Sequence, residues 1–289
     1  MTTLLDWLVP HRAEIAPGLF VGRVLPYRGG RGVGPFVFLD HMGPVKFAAG
    51  RGIDVPPHPH IGLATVTYLF DGVIDHRDSL GTEQPIRPGD VNWMTAGSGI
   101  VHSERTPAAL RNGTASLHGL QAWVALPVAH EETAPTFEHR AREDLPSTEI
   151  EGVRHRLIAG NAYGLRSPVT AHSRLFYLHS EIPEGKRLRF DPEGQEIAFY
   201  LVEGAIEHEG KTYEGPGLLH LAPGSIVEFT ARKDAMGTLL GGDPFPERRK
   251  IWWNFVSSRP ERIEAAKASW KSQSLGRVPG ETEFVPLPE

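Results

Sequence analysis

Apolar and polar positions alternate along most of this chain in short runs, the spacing of half-buried strands rather than of helices. These runs are rich in β-branched and aromatic residues and predict strands over 19–25, 36–39, 64–70, 91–96, 100–104 and 116–126. The Asp71-Gly72 turn predicts a hairpin in which 73–78 returns along 64–70. Charged, proline-interrupted sequence from 129 to 145 predicts a connection. A second set of runs occupies 153–160, 173–180, 186–190, 196–202 and 225–231. One stretch breaks the pattern. After a Ser257-Ser258 cap and Pro260 in the first turn, Ile263, Ala266 and Trp270 recur at helical spacing, and residues 280–289 form a proline-rich tail.

The two sets of runs share a phrase. Tyr68-Leu69-Phe70-Asp71-Gly72 is echoed by Tyr200-Leu201-Val202-Glu203-Gly204, and Arg87-Pro88-Gly89-Asp90 by Ala222-Pro223-Gly224-Ser225. Each echo falls where a strand meets a turn, so duplication of one barrel accounts for both. The expectation is an all-β chain of two tandem barrels, 1–128 and 129–289, the second carrying the helix and tail.

Thirty-two glycines and 25 prolines spread along the sequence fit many turns between short strands. A formal charge of −5 offers no broad attraction to phosphate backbones, so nucleic acid is not expected as a direct partner. With no cysteine, disulfides and thiolate zinc sites are excluded, and any metal must rest on nitrogen and oxygen ligands. The start, Met1-Thr2-Thr3-Leu4-Leu5-Asp6-Trp7, lacks a basic segment before an apolar run, and no later stretch offers ~18 uncharged apolar residues. A cytoplasmic protein without membrane association is the expectation.

Chemistry concentrates between residues 56 and 106. In an extended strand residues i and i+2 point the same way, so His58 and His60 share a face, as do His102 and Glu104. If these two bidentate arms lie side by side, with Gly97 and Gly99 bending the second, three imidazoles and a carboxylate converge on a site for a divalent transition metal. His41, His76 and His118 are candidates to orient the ligand rings. Trp93, Met94, Trp252 and Trp253 read as packing rather than as a substrate box. The glycine-rich 27–34 is not read as a phosphate loop, because no helix pattern comes after Gly34. In the second half, Glu193-Gly194-Gln195-Glu196 stands opposite the first arm and Phe229-Thr230-Ala231 opposite the second. His208 and His220 read there as core or surface residues, so the duplicate is expected to lack a metal.

With both arms, Trp93-Met94-Thr95-Ala96-Gly97-Ser98-Gly99-Ile100-Val101-His102-Ser103-Glu104 and Leu117-His118-Gly119-Leu120-Gln121 in view, the chain resembles the pirins, members of the cupin superfamily. The match is strongest over 39–127; Gly241-Gly242-Asp243-Pro244 and the 250–258 segment also resemble bacterial members. The resemblance implies a bicupin, two jelly-roll-like double-stranded β-helices. It also implies iron in the N-terminal one, held by residues matching His58, His60, His102 and Glu104. Many pirins carry a glutamate where this chain has Ala64; it is not one of the ligands, so pocket charge rather than metal binding would differ.

The resemblance further implies quercetin 2,3-dioxygenase activity on a flavonol or related enol with O2, or, as in animals, co-regulation of transcription. Fe(II) is the expected ion; Zn, Mn, Ni, Co and Cu suit the same donors. Glu104 has a second expected role as the general base that accepts the substrate hydroxyl proton. The alternative to an enzyme is a non-catalytic, metal-dependent binding protein read by a regulatory or metabolic partner.

Overall fold

The computed structural model describes residues 4–16, 18–27 and 32–288. Among the described residues strands are the main element, with one α-helix, Pro260–Lys271, and three short 3-10 turns. Among the described residues no helix is long and apolar enough to cross a membrane. Residues 28–31 of the glycine-rich stretch lie outside the described residues; the element that comes next after Gly34 is the strand Phe36–Lys46, not a helix.

The chain divides into two compact units, each assembled from separated stretches. One comprises Arg12–Arg23, Phe38–Arg142 and Pro246–Glu289; the other comprises Met1–His11, Val24–Val37 and Glu143–Phe245. Each unit therefore borrows from the far end of the chain: the helix and tail belong with the first set of runs, and the strand Leu4–Leu8 pairs with Gly217–Leu221 in the second.

In the first unit, a seven-stranded sheet has the spatial order Thr136–Arg140, Val91–Thr95, Leu63–Gly72, Ser116–Ala125, Phe36–Lys46, Leu19–Leu25, His11–Ala16. A four-stranded sheet runs Asp54–His60, Ile100–Arg105, Ile74–Asp78, Glu83–Ile86. The expected hairpin across Asp71-Gly72 does not form. Leu63–Gly72 and Ile74–Asp78 belong to different sheets, and the chain changes sheet at Gly72, whose φ is +90°. A side chain there would place its Cβ 2.1 Å from the Ser116 carbonyl oxygen, so only glycine fits the crossing. The return strand pairs instead with Glu83–Ile86 and Ile100–Arg105.

The second unit repeats this plan. Tyr68 stands opposite Val91 and Leu120, and Tyr200 stands opposite Leu218 and Thr238. The echo extends to Ile206, Glu207 and His208, which match Ile74, Asp75 and His76. Register also corrects two sequence alignments. Val91 matches Leu218 and Thr95 matches Ala222, so Ala222-Pro223-Gly224-Ser225 belongs to the turn that leaves this strand, the counterpart of the turn after Thr95, and not to the one that enters it at 87–90. The turn bond is the same in all three places: Ser225 N–H donates to Ala222 O at 3.0 Å, Gly99 N–H to Ala96 O at 2.9 Å and Asp90 N–H to Arg87 O at 3.0 Å. The mismatch arose because both units contain two such turns of similar composition.

His58 faces His102 across the strands, and in the second unit Phe190 faces Val227 at the same register. Glu104 likewise matches Phe229. Residues 193–196 are therefore not the counterparts of the first arm. Phe190, Val227 and Phe229 all belong to the apolar core of that unit, which fills with hydrocarbon the space that the first unit lines with imidazole and carboxylate. His208 is buried there, its Nδ1 2.8 Å from Glu228 O, and His220 packs on Tyr27.

His155 tests this core. Burial lowers its pKa to about 4, and its Nδ1 lies 2.8 Å from Ser180 Oγ. Between pH 6.5 and 4 the unfolded chain binds a proton that the folded one refuses, so acidification through that window removes stability, about 3 kcal/mol at most. Denaturant titrations at pH 7 and 4.5 should show a smaller loss in His155→Asn than in the wild type.

The helix begins at Pro260, and Arg259 at the N-cap position makes no side-chain capping bond. Ser257 and Ser258 do not cap it: their hydroxyls donate to Glu131 at 2.9 and 3.0 Å. Ile263, Ala266 and Trp270 are buried as their spacing predicts.

Candidate metal centre

The strands Asp54–His60 and Ile100–Arg105 are antiparallel neighbours, with His102 opposite His58 and Ile100 opposite His60. Alternation turns His58, His60, His102 and Glu104 inward, and all four are buried. The loop before the second arm turns at Gly97, φ +50°, where a Cβ would lie 2.0 Å from Thr133 O. On its other side the second arm pairs with Ile74–Asp78, placing Asp78 opposite His102 and His76 opposite Glu104.

One ring nitrogen from each of His58, His60 and His102 lies within 4.8 Å of the other two. The Nδ1 atoms are engaged elsewhere: His58 with Pro56 O at 2.9 Å, His60 with Asn254 O at 3.2 Å, and His102 with His76 Nδ1 at 3.4 Å. That fixes the rings and leaves Nε2 for the shared space. Among the described residues His102 Nε2 is buried with no hydrogen-bond partner, a costly condition for a polar atom. Burial lowers the pKa of His58 to about 4, and burial with mutual repulsion holds His60 and His102 well below the usual imidazole range. All three are therefore neutral at pH 7, the state in which imidazole binds metal. An orphaned nitrogen among three buried, neutral imidazoles fits a divalent transition ion better than it fits a hydrogen-bonded core.

Glu104 lines the same cavity as His58 and His60 but is not among those closely spaced atoms. Its Oε1 accepts from Gln121 Nε2 at 3.2 Å and from Thr67 Oγ1 at 3.5 Å. Burial raises its pKa, against the opposing pull of His76, Gln121 and Thr67. Of the three histidines expected to orient ligands, His76 does touch one, and its Nε2 lies 3.1 Å from the Asp78 carboxylate. His41 and His118 face each other instead, Nε2 to Nε2 at 2.9 Å.

A cavity of about 220 Å³ opens beside the cluster. Phe38 and Trp123 stack at 3.9 Å between centroids in its wall, and Arg23 donates to both Asp40 oxygens at 2.9 and 2.8 Å. Trp93 and Met94 are core residues as expected, whereas Trp253 lines the cavity. It does so from the tip of a hairpin formed by Lys250–Trp252 and Phe255–Ser257, at a φ of +51°. The next residue, Asn254, gives His60 its carbonyl. Sequence spacing could not reveal Asn254, Arg23 or Asp40: the first acts through its backbone from 194 residues away, and the other two carry no paired spacing.

The family model described as Pirin matches residues 20–124, and the one described as Pirin C-terminal cupin domain matches residues 177–276. A pirin-like protein of Caulobacter vibrioides is 46% identical over 291 residues, spanning 99% of this chain and 100% of its own length. The crystal structure of a quercetin 2,3-dioxygenase from Acinetobacter baumannii matches with a TM-score of 0.91 and 34% identity, over 99% of this chain and 95% of that one. The bacterial pirin YhhW from Escherichia coli, in complex with nickel(II), is 19% identical with a TM-score of 0.63 over 83% of this chain and 99% of that one; at that distance the likeness is one of fold.

Proposed function

This chain belongs to the pirin family, and from that premise we propose that it is a metal-dependent dioxygenase acting on a flavonol such as quercetin or a related enol. In this reading His58, His60, His102 and Glu104 hold one divalent ion, Fe(II) being the expected one. The observation that carries the reading is the orphaned His102 Nε2 among three neutral imidazoles on the wall of a cavity. Bound there, such an ion would supply Lewis acidity toward an enolate and redox chemistry toward dioxygen.

The chain's own residues then divide the remaining work. The stacked Phe38 and Trp123 offer a flat apolar wall to a planar guest, and the Arg23–Asp40 pair presents donors and acceptors to its hydroxyls. Glu104, which lines the same cavity as His58 and His60, is the proton acceptor in this reading, and Gln121 and Thr67 keep its carboxylate oriented. The quercetin 2,3-dioxygenase likeness supports the same assignment.

The test is oxygen uptake by Fe(II)-loaded protein with quercetin, compared with protein stripped by chelator. Uptake that tracks metal content supports the dioxygenase. Full metal loading without uptake on any flavonol or enediol would replace it with the metal-dependent binding reading.

A further inference from the structure

We propose that Glu281, in the C-terminal tail, is a positioning residue for the metal centre, holding the His102-to-Glu104 arm from its outer face. The inference rests on the assignment of His102 and Glu104 as ligands. Ser103 stands between them and, by strand alternation, points the other way; it is 1% exposed. Its hydroxyl donates to the Glu281 carboxylate, and Arg105 Nη2 donates to the same carboxylate at 2.7 Å. Arg105 also reaches Glu283 at 2.9 Å and Asp54, at the start of the first arm, at 3.3 Å.

The brace falls where the ladder between the arms is irregular. Register between the arms slips at Ser103, since His102 stands opposite His58 but Glu104 opposite Val55. The residues left between His58 and Val55 are Pro56 and Pro57, which have no N–H to close the ladder. The ladder between the two arms is therefore irregular beside the residue that separates the two proposed ligands, and the Ser103 hydroxyl adds a side-chain bond at that point. The tail is itself anchored beside the first arm: Val285 N–H donates to Pro57 O at 2.9 Å, and Trp270 Nε1 donates to Val285 O at 2.9 Å. Residues 281–285 thus bond to both arms, and Val285 also lines the cavity.

Co(II) titration of the full-length protein, read by calorimetry and by visible absorption, tests this beside the melting temperature of each metal-free variant. Glu281→Ala and Ser103→Ala are each expected to weaken Co(II) binding about tenfold, the lower end of what outer partners of metal ligands contribute. The double variant should be no weaker than either single one. Glu281→Gln loses the Arg105 ion pair but keeps an acceptor for Ser103, so its affinity should recover while its melting temperature stays with that of Glu281→Ala. Wild-type affinity in both single variants, additive losses, or affinity that merely tracks melting temperature would overturn the brace. Should Glu281→Ala not fold, Ser103→Ala breaks the same bond from the other end and decides the matter. Failure of the wild type to bind Co(II) would remove the ligand assignment itself, and the brace with it.

Discussion

His102→Ala is expected to leave the protein folded and without metal. Wild-type protein reconstituted with Fe(II) or Ni(II) should hold one ion per chain, and the variant less than about a tenth of that, because losing a ligand costs more than the ~10–100-fold typical of its outer partners. Two effects on stability oppose each other. Truncation opens a cavity, costing ~2–4 kcal/mol by analogy with other large-to-small changes. It also removes a buried nitrogen that has no partner in the metal-free chain, which returns ~1–3 kcal/mol. Metal-free His102→Ala should therefore melt within a few degrees of metal-free wild type, and the two should diverge when metal is added. His118→Ala is the control, since His118 pairs with His41 and stands apart from the cluster; it should bind metal as the wild type does. Equal metal content in His102→Ala and wild type would remove the site.

Much of this was legible in the residue pattern, because strand alternation is local. Two histidines at i and i+2 of a strand share a face whichever sheet the strand joins, so once these runs read as strands the approach of His58, His60 and His102 needed only that the strands be neighbours. The fold class emerged for a similar reason: short alternating runs between turns leave few architectures other than packed sheets. What the pattern could not supply was pairing. The Asp71-Gly72 turn reads like a hairpin tip, yet its glycine serves a change of sheet, and a two-residue signature is the same for both. The alignment of the two halves slipped for a related cause, since similar turns recur in each and only register tells them apart. The supports of the site were hidden more deeply. Asn254 acts through a carbonyl, Glu281 through a contact 178 residues away in sequence, and the tail that carries it reads as a loose proline-rich end. Composition marks such segments as lacking secondary structure, which is true here, but it says nothing about whether they are bonded.

Glu104→Gln should separate holding metal from moving a proton. The amide has the carboxylate's shape, so it leaves no cavity, and its oxygen can still accept from Gln121 or Thr67 as Glu104 does. It keeps one neutral oxygen donor toward a cation and loses the capacity to take up a proton at neutral pH. If Glu104 is the base, the Fe(II)-loaded variant should retain most of its metal while oxygen uptake with quercetin falls at least ~100-fold, the low end of what general base catalysis contributes. The three histidines would carry the remaining binding, since their ring nitrogens already form a cluster that does not include the carboxylate. The measurement is metal content and initial oxygen-uptake rate on the same preparation, so that rate is expressed per bound ion. A rate per ion equal to the wild type's would exclude the base role, leaving Glu104 at most a ligand and sending the search for the base to Asp40 or Glu14, the other carboxylates that line the cavity.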